Sequence, residues 1–236
     1  MTNLFESQTY AKYMRRLVGG TYQRSYSQQG EDLLIDKALI ERGIMHPTYI
    51  DIGAYDPIRA NNTYLFYKRG LSGVCVEPDP QLFSVLKRKR PHDKCLNAGI
   101  GPTDFPNAKF YVMTTKQLST FSQEEAKHMA ESGSYGSQAI TKVLDIPIVS
   151  INRLLAESFT KSPDVLSIDT EGYDLDIVRA LDFTRFAPQV MCIETLRYDE
   201  AGNIHKMKDI IDYVISKGYE VFADTHVNTI FARDTK

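Results

Sequence analysis

The sequence has little net charge and only short apolar runs, and each scarcity excludes a class of protein. Thirty acidic residues against 28 basic ones give a formal net charge of −2. The chain therefore has no excess of positive charge with which to bind the phosphates of a nucleic-acid backbone. The apolar runs are far shorter than the roughly 20 residues that span a bilayer, and the polar start MTNLFESQTY has no apolar signal-peptide core. We therefore expect a cytoplasmic protein that has no transmembrane segment and no nucleic-acid partner.

Cysteines and the motifs of common enzymes are scarce as well. The cysteines Cys75, Cys95 and Cys192 are odd in number and lie in apolar strand-like stretches, which predicts buried small residues and neither disulfides nor a zinc site. The histidines lack the H-E-x-x-H spacing of a zinc enzyme. The absence of a G-x-S-x-G elbow, a P-loop lysine motif and a C-x-x-C pair argues against the common hydrolases, nucleoside triphosphatases and thiol oxidoreductases.

From Ser27 onward, helical apolar periodicity alternates with short strand-like runs. This alternation predicts an α/β domain in which a mostly parallel sheet carries helices on both faces. A chain of 236 residues can bury a large core without help from disulfides or metal. The predicted strands are 48–53, 73–78, 94–101, 164–172 and 189–195, followed by an antiparallel pair formed by YEVFAD (219–224) and NTIFARD (228–234).

Two segments interrupt the alternation. Residues 1–26 contain many tyrosines and predict an N-terminal helix or arm ahead of a domain that spans 27–236. Residues 102–148 include a Ser/Gly/Gln-rich part near 115–140. Because insertions of this size in α/β domains usually form or cover a binding site, we expect a lid-like segment there.

Ligands of open α/β sheets bind beyond the carboxyl ends of the strands, so the residues that follow each apolar run are the candidate site. The first strand ends in Asp51-Ile52-Gly53-Ala54, and the second ends at Glu77, 26 positions after Asp51. An acidic residue about 20 positions beyond the first loop meets the ribose hydroxyls of a bound nucleotide, so Glu77 is a candidate ribose ligand. The loop D-I-G-A-Y-D-P has one glycine and two aspartates, so it lacks the glycine nest that pyrophosphate needs. It suits a ligand with positive charge, such as the ammonium and sulfonium of S-adenosylmethionine.

Several stretches of the chain resemble the FkbM family of S-adenosylmethionine-dependent methyltransferases. They occur in order over about 25–224, as SYSQQGEDLLI (25–35), YIDIGAYDP (49–57), NNTYLFYKRGLSGVCVEPDP (61–80), NAGIG (97–101), IPIVSINRLL (146–155) and VLSIDTEGYDLDIVRAL (165–181). The resemblance implies a class I methyltransferase (Rossmann-like) fold, a mostly parallel seven-stranded sheet with one antiparallel strand and helices on both faces. It also implies O-methylation of a hydroxyl on a sugar, a glycan or a natural product.

The resemblance also implies roles for individual residues. Asp51, Gly53 and the following Ala54 look like contacts to the methionine part of S-adenosylmethionine. Glu77 looks like the ribose ligand, and Asn97 looks like a contact near the adenine. These five residues form the predicted centre of the cofactor site.

Four further residues are candidates near the cofactor. Gln28 and Glu31 belong to the run S-Q-Q-G-E-D (27–32), which is typical of the family, and we consider them for cofactor or substrate contact. Asn61, Asn62 and Thr63 are expected to cap a helix, and Asn62 or Thr63 can also reach the cofactor. The basic run KRKRPHDK (87–94) closes another predicted helix, where cations complement the carbonyl end, and we expect it to be solvated.

Methyl transfer to a hydroxyl requires a group that removes the hydroxyl proton as the new bond forms. Asp169 and Glu171 follow the fourth strand and Glu194 ends the fifth, so the fold would bring their carboxylates to one edge of the sheet. We expect one of the three to be the general base, with His226 as the next candidate. The same oxygens could instead hold a divalent cation that lowers the pKa of the acceptor hydroxyl, and of these two mechanisms we favour the direct base.

Two other functions stay open from the sequence. An NAD-type oxidoreductase or epimerase would use the same class of sheet, but the missing glycine nest argues against it. A non-catalytic cofactor-binding module would keep the fold, but it has no need of carboxylates clustered at the ends of the fourth and fifth strands. The identity of the small-molecule or glycan acceptor, and the oligomeric state, are open as well.

Overall fold

The computed structural model describes residues 24–133, 136–198 and 203–234, so the predicted arm over 1–26 falls almost entirely outside the described residues. Along the described chain the strands are β1 (Tyr49–Ile52), β2 (Val74–Val76), β3 (Lys94–Leu96), β4 (Gly99–Gly101), β5 (Phe105–Met113), β6 (Ile140–Ser150), β7 (Val165–Ile168), β8 (Val190–Glu194), β9 (Leu196–Tyr198), β10 (Ile204–Lys206), β11 (Tyr219–Asp224) and β12 (Asn228–Arg233). The helices are α1 (Glu31–Glu41), α2 (Tyr64–Lys68), α3 (Pro80–Lys89), α4 (Gln123–Glu131), α5 (Ile151–Ser158), α6 (Asp174–Ala180) and α7 (Lys208–Ser216).

A seven-stranded sheet in the order β11-β12-β8-β7-β1-β2-β3 carries the fold. Its pairs from β8 to β3 are parallel, whereas β12 runs antiparallel to both β8 and β11. The predicted fold class is therefore confirmed. Every residue of β1 and β7 is buried, which is why these strands appear in the sequence as continuous apolar runs instead of alternating ones.

Helices cover both faces of this sheet because successive strand side chains point to opposite sides. In β7, Val165 packs in a cluster with Ile35 of α1, whereas Leu166 packs in another cluster with Leu154 of α5 and Ile177 of α6. Helices α1 and α2 thus lie on one face, and α5, α6 and α7 lie on the other. No helix among the described residues has both the length and the apolar character needed to cross a membrane.

The predicted third strand over 94–101 is two strands that belong to different sheets. β3 completes the main sheet, while β4 pairs with β6 in a second sheet of order β4-β6-β5. The strand conformation is interrupted between them at Asn97. The side-chain amide of Asn97 donates to the carbonyl oxygens of Glu77 (2.9 Å) and Pro78 (2.8 Å). This amide cross-links the ends of two adjacent strands.

The insertion is more ordered than its Ser/Gly/Gln-rich composition indicates. It contains α4 and a short 3-10 turn over Lys116–Leu118. Ser122 caps α4, since its hydroxyl accepts from the backbone N–H of Glu125 at 3.1 Å, and Ala126 and Met129 are buried in a small cluster with Met113 of β5. A cap and two apolar residues at helical spacing are enough to form this helix.

The basic run over 87–94 differs from the sequence expectation at two residues, Arg90 and Asp93, which are both buried. Lys87 and Lys89 are exposed, as expected, but Arg90 is fully buried. Its guanidinium lies 2.6 Å from Asp93 and donates to the side-chain oxygen of Asn61 at 3.1 Å. A buried cation needs partners of this kind. Asp93 belongs to the run itself, but Asn61 is brought to Arg90 by the tertiary fold, so the run alone could not predict the burial.

Candidate active site

Two adjoining pockets lie at the carboxyl ends of the parallel strands. The first pocket is lined, among others, by Gly53, Tyr55, Glu77, Ile100, Phe110 and Phe121. The second pocket, with a volume of about 300 Å³, is lined, among others, by Gln28, Glu125, Met129, Glu194, Arg197 and Met207. Gln117, Asp169 and Glu171 line both pockets, so they form the wall between them.

The turn after β1 passes against the end of β7. Gly53 has φ +82°, and a Cβ atom placed on it would lie 1.8 Å from the carbonyl oxygen of Asp169. The N–H groups of Gly53 and Ala54 both donate to the carbonyl oxygen of Val76 at 3.0 Å. Only glycine fits this approach, and its backbone forms part of the floor of the first pocket.

Asp51 does not face the pocket but holds the loop from inside. Its carboxylate accepts from the hydroxyl of Thr63 at 2.8 Å and from the amide of Asn61 at 3.1 Å. The same Asn61 amide donates to the carbonyl oxygens of Ala54 and Asp56, both at 3.1 Å. Asn61, which the sequence predicts only as a helix cap, therefore also shapes the loop after β1.

The two helix-cap candidates also have internal partners. Thr63 occupies the N-cap position of α2, but the oxygen that accepts from the N–H groups of Thr63 (3.1 Å) and Tyr64 (2.8 Å) belongs to Asn61. The amide of Asn62 donates to the hydroxyl of Ser167 in β7 at 3.1 Å. Both side chains thus connect α2 to the sheet.

Glu77 is buried at the end of β2 and lines the first pocket. One carboxylate oxygen accepts from the N–H of Tyr55 at 2.9 Å, and the other accepts from the N–H of Asp79 at 2.8 Å. Burial raises the pKa of Glu77 to about 7 and the nearby charge of Asp79 adds to the shift, while the two N–H bonds and the cation of Lys116 oppose it. Each oxygen keeps a further lone pair with which to accept a hydroxyl of a ligand.

The far end of the first pocket is apolar and aromatic. Phe110 of β5 and Phe121 of the insertion lie with ring centroids 4.8 Å apart, and Ile100 lies beside them in the lining. Gly99 leaves room for this wall, because a Cβ there would meet the ring of Phe121 at 2.4 Å. The neighbouring Asn97 braces the strand ends, and its side chain is committed to the two carbonyl oxygens described above.

The segment before α1 reaches the second pocket from the other side. Gln28 is exposed and lines that pocket. Glu31 is fully buried, and its carboxylate accepts from Gln29 N–H (2.8 Å), the hydroxyl of Thr225 (2.7 Å) and the amide of Asn228 (3.2 Å). Burial acts to raise the pKa of Glu31, but these hydrogen bonds outweigh it and the net pKa is lowered. Glu31 thus anchors the segment that presents Gln28.

The structure brings together the carboxylates of Asp169, Glu171 and Glu194. One oxygen of each lies within 4.8 Å of the other two, and all three side chains are half-buried. Burial, with added repulsion from neighbouring carboxylates, raises the pKa of Asp169 to about 7 and raises the pKa values of Glu171 and Glu194 well above their usual range. A carboxylate in this state is poised to take a proton near neutral pH.

The loop that carries these acids is held by a fourth acid. Asp174, buried at the start of α6, accepts from the N–H groups of Thr170 at 3.0 Å and Gly172 at 3.4 Å. The local capping that Asp169 and Glu171 could have supplied is therefore done by Asp174. The carboxylates of Asp169 and Glu171 are left facing the two pockets.

His226 lies apart from the acid cluster. It is exposed in the turn between β11 and β12, with φ +74°, and its N–H donates to Asp224 at 2.7 Å. The next residue, Val227, lines the second pocket. The structure thus brings the three acids together but not His226 with them.

The seven-stranded sheet, mostly parallel with one antiparallel strand, together with a glycine turn after β1 and a carboxylate at the end of β2, forms a class I methyltransferase fold. The sequence model described as "Methyltransferase FkbM domain" matches residues 51–221, well over half of the chain, so the protein belongs to the FkbM methyltransferase family. It is an S-adenosylmethionine-dependent methyltransferase, which decides against the oxidoreductase and the non-catalytic module.

Solved structures of other methyltransferases are similar to this chain at low identity. An amino pentose methyltransferase from Micromonospora echinaspora is 10% identical, with a TM-score of 0.45 over 99% of this chain and 98% of that one. A TehB-like methyltransferase from Corynebacterium glutamicum is 13% identical, with a TM-score of 0.39 over 98% of this chain and 100% of that one. No curated protein matches the sequence.

Proposed function

We propose that the protein transfers the methyl group of S-adenosylmethionine to a hydroxyl of a sugar, glycan or natural-product acceptor. The observation that carries this proposal is the position of Asp169 and Glu171, which line both pockets. If the methyl donor occupies the first pocket and the acceptor the second, a base stands where the two ligands meet. Methyl transfer to oxygen needs a base at that place.

The first pocket fits the proposed cofactor in shape and chemistry. Glu77 has free lone pairs for the two ribose hydroxyls, and Phe110 and Phe121 offer an apolar wall for the adenine. The backbone of Gly53 and Tyr55, beside Asp169, would hold the methionine part. The bound sulfonium would supply an electrophilic methyl group with a thioether as the leaving group.

In this proposal the protein's own carboxylate carries the proton. The acceptor hydroxyl gives its proton to Asp169 or a neighbouring acid of the cluster while its oxygen forms the new bond to carbon. A pKa of Asp169 near 7 suits this task, because proton transfer is most efficient when the pKa of the base lies near the working pH. The wall between the pockets would also hold the reacting oxygen in line.

The second pocket favours an acceptor that donates hydrogen bonds. Its lining contains the acids Glu125, Asp169, Glu171, Asp174 and Glu194, whereas its cation, Arg197, is already paired with Glu125. Hydroxyls complement carboxylates, and the apolar side chains in the same lining suit the C–H faces of a sugar ring. An acidic sugar would meet repulsion there. The near-neutral chain likewise favours a small molecule or glycan over a nucleic acid.

Part of the insertion near 115–140 acts as a lid in this proposal. Lys116 and Phe121 line the first pocket, Gln117 lines both, and Leu118 and Gln138 line the second. Lys116 reaches the opposite rim, where its ammonium lies 2.9 Å from the carboxylate of Asp79. Breaking this contact would open the first pocket for cofactor exchange.

The test uses isotope-labelled S-adenosylmethionine and a panel of neutral glycosides, each paired with its uronic acid. We expect the neutral acceptors to gain one methyl group on oxygen, and their acidic partners to react far more slowly. Transfer to nitrogen or carbon, or a preference for the uronic acids, would contradict the proposal. Activity that vanishes with a chelator and returns with magnesium would replace the direct base by metal assistance.

Glu77 gives a separate prediction for the cofactor. Glu77→Gln is expected to weaken S-adenosylmethionine binding by roughly 10- to 100-fold, because an amide replaces a charged acceptor of two hydroxyl hydrogen bonds. Since the pKa of Glu77 is about 7 and the ionised form binds, wild-type affinity should rise as the pH increases through 7. The variant should lose most of this pH dependence. Calorimetric titration across that range measures both effects.

A matched control and a second variant sharpen this prediction. Glu157→Gln changes an exposed acid of α5 in the same way and should leave affinity unchanged. Lys116→Met removes the cation that lowers the pKa of Glu77, so the pH at which affinity rises should move upward. A dissociation constant that is the same for wild type and Glu77→Gln would remove Glu77 from the cofactor site.

A further inference from the structure

We infer that Thr120, in the insertion, is a positioning residue for the acid cluster, because its hydroxyl fixes the backbone of Glu171. The inference rests on the proposed function, since it takes Glu171 to belong to the catalytic base cluster. Neither the sequence pattern nor the family match assigns a role to Thr120. Three observations support it: how Thr120 is held, what its hydroxyl contacts, and the backbone conformation of Glu171.

Thr120 is held rigidly by its own backbone. The residue is fully buried, and it forms an isolated antiparallel bridge with Tyr111 of β5. Its N–H donates to the carbonyl of Tyr111 at 3.2 Å, and the N–H of Tyr111 donates to its carbonyl at 2.8 Å. Its side chain therefore projects from a fixed point of the second sheet.

Both hydrogen-bonding functions of the Thr120 hydroxyl are used. The hydroxyl donates to the carbonyl oxygen of Glu171 at 2.6 Å and accepts from the N–H of Ser122 at 3.0 Å. A threonine hydroxyl has a single proton to donate, so its direction is settled by the bond to Glu171. This bond joins the insertion to the loop after β7.

Glu171 needs such support because its backbone is strained. Its φ of +52° lies in the left-handed region, a backbone conformation that residues other than glycine rarely adopt. Strained residues persist where several contacts determine their conformation. Asp174 holds the N–H groups on either side of Glu171, and Thr120 holds its carbonyl oxygen. Together these bonds fix the Glu171 carboxylate beside Asp169.

The Glu171 carboxyl faces charged groups from several elements. Asp169 belongs to the same loop, Glu194 ends β8, Asp174 begins α6, and Glu125 of α4 is paired with Arg197 of β9. A change in the Glu171 backbone would alter its distances to all of these groups. The proton equilibrium of the cluster should therefore respond to Thr120, although Thr120 itself does not titrate.

The test compares Thr120→Val, which removes the hydroxyl at nearly constant shape, with Thr120→Ser, which keeps it. We expect T120V to lower kcat by roughly 10-fold or more, since small displacements of a catalytic group cost about this much or more. It should also shift the pH profile of kcat, with S-adenosylhomocysteine affinity nearly unchanged. T120S should restore both kcat and the profile.

A matched control removes a similar hydrogen bond elsewhere on the same sheet. The hydroxyl of Thr141 donates to the carbonyl oxygen of Val112 at 2.9 Å, and neither residue lines either pocket. Thr141→Val should therefore leave kcat and its pH profile unchanged. If T120V lowers kcat no more than T141V does, or if T120S fails to restore it, Thr120 has no positioning role.

A measurement without acceptor separates this inference from the proposed function. The titration of the Glu171 carboxyl can be followed by ¹³C NMR of glutamate-labelled protein, with Glu171→Gln for assignment. T120V should move this titration whether or not any hydroxyl acceptor is methylated. An unmoved titration overturns the role of Thr120. A moved titration in a protein that methylates no hydroxyl overturns only the proposed function. If T120V fails to fold, Thr120→Ala, which removes the hydroxyl without filling its place, serves in both measurements.

Discussion

Asp169→Asn is expected to reduce the rate of methyl transfer by about 100-fold or more while leaving cofactor affinity nearly unchanged. The amide keeps the shape of the side chain and most of its hydrogen bonding but cannot take a proton. Wild-type kcat should rise as the pH increases through about 7, where Asp169 ionises, and the variant should lose this limb. Single-turnover rates across this range, with calorimetric binding of S-adenosylhomocysteine, measure both quantities.

Companion variants decide which acid is the base. Glu171→Gln and Glu194→Gln remove the other two charges of the cluster, and the base is the acid whose amide variant loses the most turnover. Asp145→Asn, which changes an exposed acid of β6 that is paired with Lys109, should have no effect. If all three cluster variants turn over normally, the carboxylate base is wrong, and His226→Ala is the next variant to test.

Asp169→Asn should also make the folded protein more stable than wild type at alkaline pH. The folded-state pKa of Asp169, about 7, lies above its ordinary value of 3.8, so the folded state holds a proton that the unfolded state releases. This contribution to stability is complete below about pH 4 and is lost as the pH rises through 7. We therefore expect Asp169→Asn to unfold at a higher temperature than wild type above pH 7. The raised pKa that suits Asp169 to act as a base thus lowers the stability of the folded protein above pH 7.

Gly53→Ala is expected to weaken cofactor binding and turnover by roughly 100-fold each. The new Cβ would lie 1.8 Å from the carbonyl oxygen of Asp169, so the turn after β1 and the loop after β7 must separate. A left-handed backbone costs an alanine about 1–3 kcal/mol in addition. Because the two loops form the floor of the first pocket and carry the base, one substitution should damage both functions.

Gly70→Ala separates the clash from the backbone strain. Gly70 also has a left-handed φ, +87°, but a Cβ there would meet nothing within 4 Å. Both variants should lower the melting temperature, whereas only Gly53→Ala should lose S-adenosylhomocysteine binding by calorimetry. Equal binding by Gly53→Ala and wild type would show that this turn does not shape the cofactor pocket.

The sequence predicts the sheet from its apolar runs, and it predicts the acid cluster from the residues that follow those runs. Buried parallel strands leave continuous apolar runs, and the residues after them, such as Glu77 and Glu194, must meet at one edge. The role of Thr120 and the burial of Arg90 depend on Glu171 and Asn61, partners far away in the chain, so local pattern could not show them. The hairpin of β9 and β10 was missed because its short strands lack an apolar run.

The contribution of the insertion to the active site has a consequence for engineering. The main sheet supplies Gly53, Glu77 and the acids, and the second sheet supplies Ile100 and Phe110 to the first pocket, whereas α4 supplies Glu125 and Met129 to the second pocket. The apolar clusters around Phe110 of β5 and Met129 of α4 are separate from the central core, which Ile100 of β4 joins. Substitutions in α4 and the residues after it can therefore change the second pocket while Gly53, Glu77 and Asp169 stay unchanged, and a library confined to 122–139 is the natural starting point for engineering acceptor range.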